Sequence, residues 1–240
     1  MAKNVRNRIV RAALEIAGEH SAGPKFWGLT TRQLFYQMVS AGYIENTDKA
    51  YKSMADHLTK ARLDGEFPPD AMSDPGRTLH HPHDRSGPAR FVLTEKEAIM
   101  PVVLGTSREF GAFSACTQGI PSVTLLDDIV SEMATSAVDL GGGSTPEVYI
   151  LTDLDKVGLS IRSLIPRHIK TLIKSRGYEH LVPEVKFETL FLTPMQAREI
   201  AVPRAPHHYE LESLDPLAVY EMLCDALRPE SPYFPPTEAA

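Results

Sequence analysis

Cysteine is nearly absent from this 240-residue chain: there are two, Cys116 and Cys224, both in apolar segments and without metal-type spacing. That leaves no disulfide framework and no cysteine-built zinc site, and both thiols are expected to be reduced, as in a cytosolic protein. No apolar run approaches the ~20 residues that span a bilayer. The opening Met-Ala-Lys-Asn-Val-Arg lacks the apolar core of a signal peptide. The expectation is a cytoplasmic protein with no membrane partner. Internal repeats and sustained heptads are missing too. Nor is there a general excess of positive charge: 25 Lys and Arg face 31 Asp and Glu, a formal net charge of −6. That argues against a protein that coats nucleic acid over its whole surface. What is present is the composition of a globular chain, 42% hydrophobic and 23% charged, enough for one large or two modest domains.

The charge is unevenly spread. Residues 1–90 carry 13 basic and 10 acidic side chains, a net of +3, and residues 91–240 carry 12 and 21, a net of −9. A mildly basic front half joined to an acidic back half suits a DNA-binding module attached to a metal-binding one.

The back half is organised around residues 148–158, VYILTDLDKVG. Its first four residues have the bias of a buried strand. The apolar spacing of Ile161, Leu164, Ile165, Ile169, Leu172 and Ile173 predicts a following helix with a proline near its start. Asp153 and Asp155 therefore stand at the carboxyl end of a strand, where open α/β sheets bind ligands. Alternation along an extended chain turns both to one side. Adjacent carboxylates repel unless a cation lies between them, and a hard divalent ion with oxygen ligands fits. Two solvated aspartates in a strand–helix turn are the plain alternative. Upstream, residues 91–94 give a second short strand, ending in Glu95-Lys96-Glu97. Two strand ends thus supply three carboxylates, a more specific pattern than either alone.

This combination resembles the Toprim domain of topoisomerases, primases and related nucleases. The EKEA and DLDKVGLSI wording is most similar to the A subunit of type IIB topoisomerases and its meiotic double-strand-break relatives. The resemblance implies an α/β Toprim domain, a Rossmann-like parallel sheet. It implies Mg²⁺ (or Mn²⁺) held at the scissile phosphate by Glu95, Asp153 and Asp155, double-stranded DNA as substrate, and a homodimer. No ATPase domain is present, so strand passage would need a separate ATPase subunit. Lys156 stands where relatives often have Pro or Ser, and its ammonium can compete with a metal or contact the phosphate.

The front half reads as three helices. Val5, Ile9, Ala12, Ala13 and Ile16 predict a helix over residues 4–17, stopped by Gly18. Thr30 and Gln33 form a capping-box pattern ahead of a short helix ending near Gly42. Asn46-Thr-Asp48 caps a third helix over 49–63, with Lys49, Lys52, Lys60 and Arg62 available for DNA phosphates. The layout fits a helix-turn-helix or winged helix, and equally a generic three-helix bundle with a solvated basic face. The wording of this stretch also resembles a winged-helix module seen fused to Toprim domains. In the type IIB A subunit that module carries an Arg-Asp-Ile-Tyr-Tyr-like motif whose last Tyr attacks DNA. By that match Tyr36 is the nucleophile and Arg32 its cationic neighbour one turn earlier, with Gln33 in place of the motif's Asp. A phenol beside a guanidinium favours the phenolate. An edge Tyr is also commonly a rim aromatic.

The expected organisation is a mostly α-helical winged-helix domain over 1–72, a linker over 73–88, the Toprim domain over 89–228 and a disordered tail over 229–240. Within the linker His80, His81, His83 and Asp84 offer zinc-type ligands without an ordered fourth partner. Strands are expected at 120–126 and 184–192, and helices at 127–138, 193–200 and 216–227. Residues 208–216, HYELESLDP, resemble the segment that closes these family members, and Glu210 or Glu212 is a candidate to support the metal. The function expected is Mg²⁺-dependent DNA cleavage by tyrosine transesterification in a nucleoid-associated enzyme. Two other readings fit the same residues: a hydrolytic Toprim nuclease with Tyr36 a bystander, and a non-catalytic DNA-binding protein of a phage or plasmid regulatory system.

Overall fold

The computed structural model describes residues 2–21, 29–68, 71–72, 74, 76–84, 88–141, 145–190, 211 and 216–228. The front module is α1 (Ala2–Ser21), α2 (Thr31–Ser40) and α3 (Asp48–Leu63) around one apolar cluster. Helix α1 runs three residues past Gly18. A lone glycine costs a helix only about 1 kcal/mol relative to Ala and need not end it. The capping box forms as expected: Thr30 Oγ1 accepts from Gln33 N at 3.2 Å, and Gln33 Oε1 accepts from Thr30 N at 2.9 Å. Thr47 caps α3 by accepting from Ala50 N. Leu34, Met38, Met54, Leu58 and Phe67 are essentially removed from water, each burial contributing about 1.5–3 kcal/mol. Among the described residues the only extended pairing here is a single parallel bridge, Leu29–Met72.

Behind this module lies a four-stranded, fully parallel sheet. Its elements run β1 (Arg90–Thr94), α4 (Met100–Glu109), β2 (Phe113–Cys116), α5 (Val123–Asp139), β3 (Glu147–Leu151), α6 (Lys156–Ser175), β4 (Lys186–Leu190) and α7 (Pro216–Leu227). The spatial order is β2-β1-β3-β4. Alternation along the strands serves two cores. Phe91, Leu93, Phe113, Val148 and Ile150 pack with α5 and α6. Val92, Tyr149, Leu151 and Leu190 pack with α4 and α7. The sheet is therefore covered on both faces, the α/β architecture that the alternating elements predict.

Two boundaries differ from expectation. The strand expected at 120–126 is instead the start of α5, and the second strand is Phe113–Cys116. Ser122 decides the matter locally, since its hydroxyl accepts from Leu125 N at 3.2 Å as an N-cap. A short apolar run such as VTLL has no period that separates strand from buried helix. Pro166 lies well inside α6 rather than near its start, which is set by Asp155 as N-cap. The helix expected over 193–200, Glu210, Glu212 and the tail lie outside the described residues.

The segment assigned as a linker is pinned to the sheet. His80 pairs with Ser114 through two backbone hydrogen bonds of 2.8 and 3.0 Å, covering the β2 edge. Leu79 is buried in the sheet core. At Gly111, with φ +63°, an added Cβ would stand 2.8 Å from the Asp84 carbonyl oxygen. The helical module also meets the sheet domain directly. Arg62 Nη2 donates to Thr124 Oγ1 at 2.8 Å, and Gly65 lies against Ser175.

Candidate active site

The connections from β1 and β3 leave in opposite directions, to β2 on one side and β4 on the other. The crevice between the carboxyl ends of these two strands is therefore the topological switch point of the sheet. Glu95 and Asp153 flank it. The Glu95 amide donates to Leu151 O at 2.9 Å, continuing the β1–β3 ladder past its last registered pair. The Glu95 carboxylate in turn accepts from the Asp153 amide at 3.3 Å. Both are buried, with 8% and 3% of their surface exposed.

Burial, then the nearby Asp153 and Asp155 charges, push the Glu95 carboxyl above its ordinary range. The Asp153 amide and the Lys96 ammonium oppose that shift. Asp153 is held from two sides: Lys96 Nζ lies 2.9 Å from Oδ2, and Leu211 N donates to Oδ1 at 2.8 Å. Asp155 is turned to its own helix, accepting from Gly158 N at 2.7 Å as the N-cap of α6. Arg162 completes the surroundings. Its Nε donates to Thr152 Oγ1 at 2.8 Å, burial lowers its pKa, and the Glu95 charge partly restores it.

Gly158 makes this turn possible. An added Cβ would stand 2.0 Å from the Asp153 carbonyl oxygen, so only glycine lets α6 start this close to the aspartate pair. Lys96, Arg162 and Gly158 were not singled out by sequence reasoning for these roles. Lys96 and Gly158 lie within the motifs already noticed. Arg162 carried only its i+10 distance from Thr152, which signals nothing until the helix is docked. Lys156, expected to compete with a metal or to contact the phosphate, is exposed on the first turn of α6, and the ammonium on Asp153 is that of Lys96.

An all-carboxylate donor set suits Mg²⁺ or Mn²⁺, and burial is what chiefly raises the Glu95 pKa. Yet among the described residues no group of three His, Cys, Asp or Glu is arranged to hold a metal ion. In this arrangement Lys96 provides the cation on Asp153, and Asp155 is committed to its cap. The donors fit a hard dication in chemistry, and Lys96 must release Asp153 for the two carboxylates to share one. The histidine-rich segment is no zinc centre among the described residues either: His80 is in the edge bridge and His81 stacks edge-on against Phe113.

Tyr36 and Arg32 are brought together on α2. Arg32 Nη2 donates to the Tyr36 hydroxyl at a long 3.4 Å, and the guanidinium lies 5.7 Å from the centre of the Tyr36 ring and 5.5 Å from that of Tyr51. Tyr36 is 45% exposed. Among the described residues no hydrogen bond or ion pair joins this pair to the carboxylates of the same chain. Lys49, Lys52 and Lys60 are exposed on α3 as expected. Arg62 is not: it is 6% exposed, bonded to Thr124, and its pKa is lowered by burial to about 10. The reason is geometric. Thirteen residues after Lys49, at ~100° per residue, Arg62 falls on the far side of the helix and faces the sheet domain.

The described residues contain no helix long and apolar enough to cross a membrane. No family model, no curated protein and no solved structure matches the chain.

Proposed function

We propose that this chain is a DNA strand-cleaving protein of the Toprim type, related to the A subunit of type IIB topoisomerases. Glu95 and Asp153 form its carboxylate centre, which Asp155 would join on leaving its cap, and a winged-helix-like front module presents Tyr36. The observation that carries this reading is the meeting of two buried carboxylates, Glu95 and Asp153, at the switch point of a parallel sheet. The residues fit Mg²⁺ or Mn²⁺, which when bound would offset charge developing on a phosphodiester. Arg32, in reach of the Tyr36 hydroxyl, neutralises an incoming phosphate. The Tyr36 oxygen would bond to phosphorus as a phosphorus–sugar oxygen bond breaks, the phenol proton passing to solvent and the leaving oxygen taking one up. Two chains would form a homodimer with one site per DNA strand, and a separate ATPase subunit would be needed for strand passage.

The Lys96–Asp153 ion pair favours a second reading, a non-catalytic DNA-binding protein whose sheet domain is a scaffold closed by its own lysine. Incubating supercoiled plasmid with the protein and Mg²⁺ decides between them. Linear or nicked DNA with protein covalently attached to its ends supports the transesterase. Free ends support a hydrolytic nuclease, and intact plasmid that is nonetheless bound supports the scaffold.

A further inference from the structure

Between the helical module and the start of α5 lies a cleft of about 260 Å³. Three guanidinium side chains from three separate segments line it: Arg32 from α2, Arg62 from α3, and Arg77 from the stretch ahead of β1. One carboxylate, Asp74, shares the lining and is already paired with Arg77 Nη1 at 3.0 Å. The lining thus holds two positive charges in excess. Ser122 and Thr124, the N-cap and first turn of the 17-residue α5, complete it, so the positive end of that helix opens on the same space.

The arginines are fixed in place. Arg77 Nε donates to Thr117 O at 2.7 Å, and its Nη2 reaches Gln118 O at 3.4 Å. Arg62 is buried in the wall against Thr124, with Asp127 and Asp128 as its nearest opposing charges outside the cleft; Asp127 is itself paired with Arg176. Arg32 lies over two tyrosine rings. Guanidinium groups gathered on one cleft with a single carboxylate among them suit an anion with several oxygens, which their planar forks match well. Position narrows the anion. Thr117 follows β2, and its amide donates to Thr94 O at the end of β1. The cleft therefore opens at the same carboxyl edge of the sheet as Glu95 and Asp153, and Arg32 belongs both to it and to the Tyr36 pair.

We infer that this interdomain cleft is a second anion site, one that takes a phosphate group through Arg32, Arg62 and Arg77 without a metal. A phosphodiester of bound DNA and the phosphates of a free nucleotide share this chemistry. The inference does not need the carboxylate centre to cleave anything, so its test is run in EDTA, where loss of cleavage activity is irrelevant. Binding of inorganic pyrophosphate to the full chain is measured by calorimetry at constant ionic strength. Arg32→Gln, on an exposed part of α2, and Arg77→Gln are expected each to weaken it by about tenfold or more, the scale of one lost charge-assisted bond. Arg228→Gln, far along the chain in an exposed ion pair with Asp225, should leave it unchanged. If a short duplex displaces pyrophosphate, the site serves DNA. If a nucleoside triphosphate displaces it and the duplex does not, the site serves a nucleotide. No binding above the ionic-strength control overturns the inference, as does binding that survives in both Arg32→Gln and Arg77→Gln; circular dichroism establishes that each variant is folded.

Discussion

The ammonium of Lys96 lies 2.9 Å from Oδ2 of Asp153, the most buried carboxylate at the end of the sheet. A charge that deep is tolerated only when paired, and here the partner comes from the residue next to Glu95 in sequence. Lys96 is thus both the counterion of the carboxylates and the competitor of any metal they take.

Replacing it separates the two roles. Lys96→Met leaves Asp153 with the Leu211 amide alone, and should lower stability by about 1–3 kcal/mol in EDTA, the cost of an uncompensated buried charge. Added Mg²⁺ should then raise the thermal midpoint more in the variant than in the wild type. An equal or smaller response would mean that Lys96 does not stand in a cation's place.

Glu95 should show the opposite sign. Its carboxyl is raised from an ordinary 4.5, mainly by burial, so the folded state holds its proton more tightly than the unfolded state does. Its contribution is complete below pH 4.5 and is lost as pH rises through the folded value, so the ionised group is a cost at neutrality. Glu95→Gln keeps an acceptor for the Asp153 amide. Thermal melts should find the variant more stable than wild type at pH 7, with the difference vanishing near pH 4. Stabilisation that persists unchanged at pH 4 would show that ionisation is not its cause.

At Gly158 the obstacle is steric. Gly158→Ala would place a methyl 2.0 Å from the Asp153 carbonyl oxygen, and the backbone on both sides must shift. Urea denaturation should show a loss of about 3 kcal/mol, the upper range for an overpacked site. A loss within error of zero would mean that the turn is looser than these contacts show.

These three residues also mark what the sequence could and could not tell. The short strands leading to Glu95 and Asp153, and a helix following them, follow from local pattern, because period and cap chemistry are local; the helix starts at Lys156, ahead of Gly158. Which oxygen faces which cation does not follow, since Lys96 meets Asp153 only after two strands distant in sequence pair. Arg62 shows the same limit. Its charge suggested DNA, while its place on the helix turned it inward to Thr124. The misplaced strand at 120–126 came from an apolar run that a buried helix uses equally well, and the true strand, Phe-Ser-Ala-Cys, is too short and too small in side chain to announce itself.

Duplex binding should depend on the exposed lysines of α3 and not on Arg62. Reversing Lys49 and Lys52 to Glu should weaken binding to any sequence and reduce the slope of log affinity against log salt by about 2, near 0.9 for each lost phosphate contact. An unchanged slope, measured by fluorescence anisotropy across salt concentrations, would remove α3 from the interface.

The proposed pairing of Tyr36 with the carboxylates of a partner chain is open to the sharpest test. Tyr36→Phe keeps the ring against Phe35 and beneath Arg32, and gives up one long hydrogen bond on a half-exposed residue. Its stability should stay within about 0.5 kcal/mol of wild type, as for other surface changes. Asp153→Asn disables the other half of the site. If Tyr36 of one chain works with the carboxylates of its partner, each variant alone is dead. A mixed dimer of the two then regains a single complete site, because the intact Tyr36 of one chain meets the intact carboxylates of the other. That dimer should nick supercoiled plasmid and carry protein on one strand, without linearising it. If both halves belong to the same chain, no mixed dimer has a complete site and the plasmid stays closed. Nicking by Tyr36→Phe alone would sink the tyrosine mechanism altogether and leave water as the attacking group.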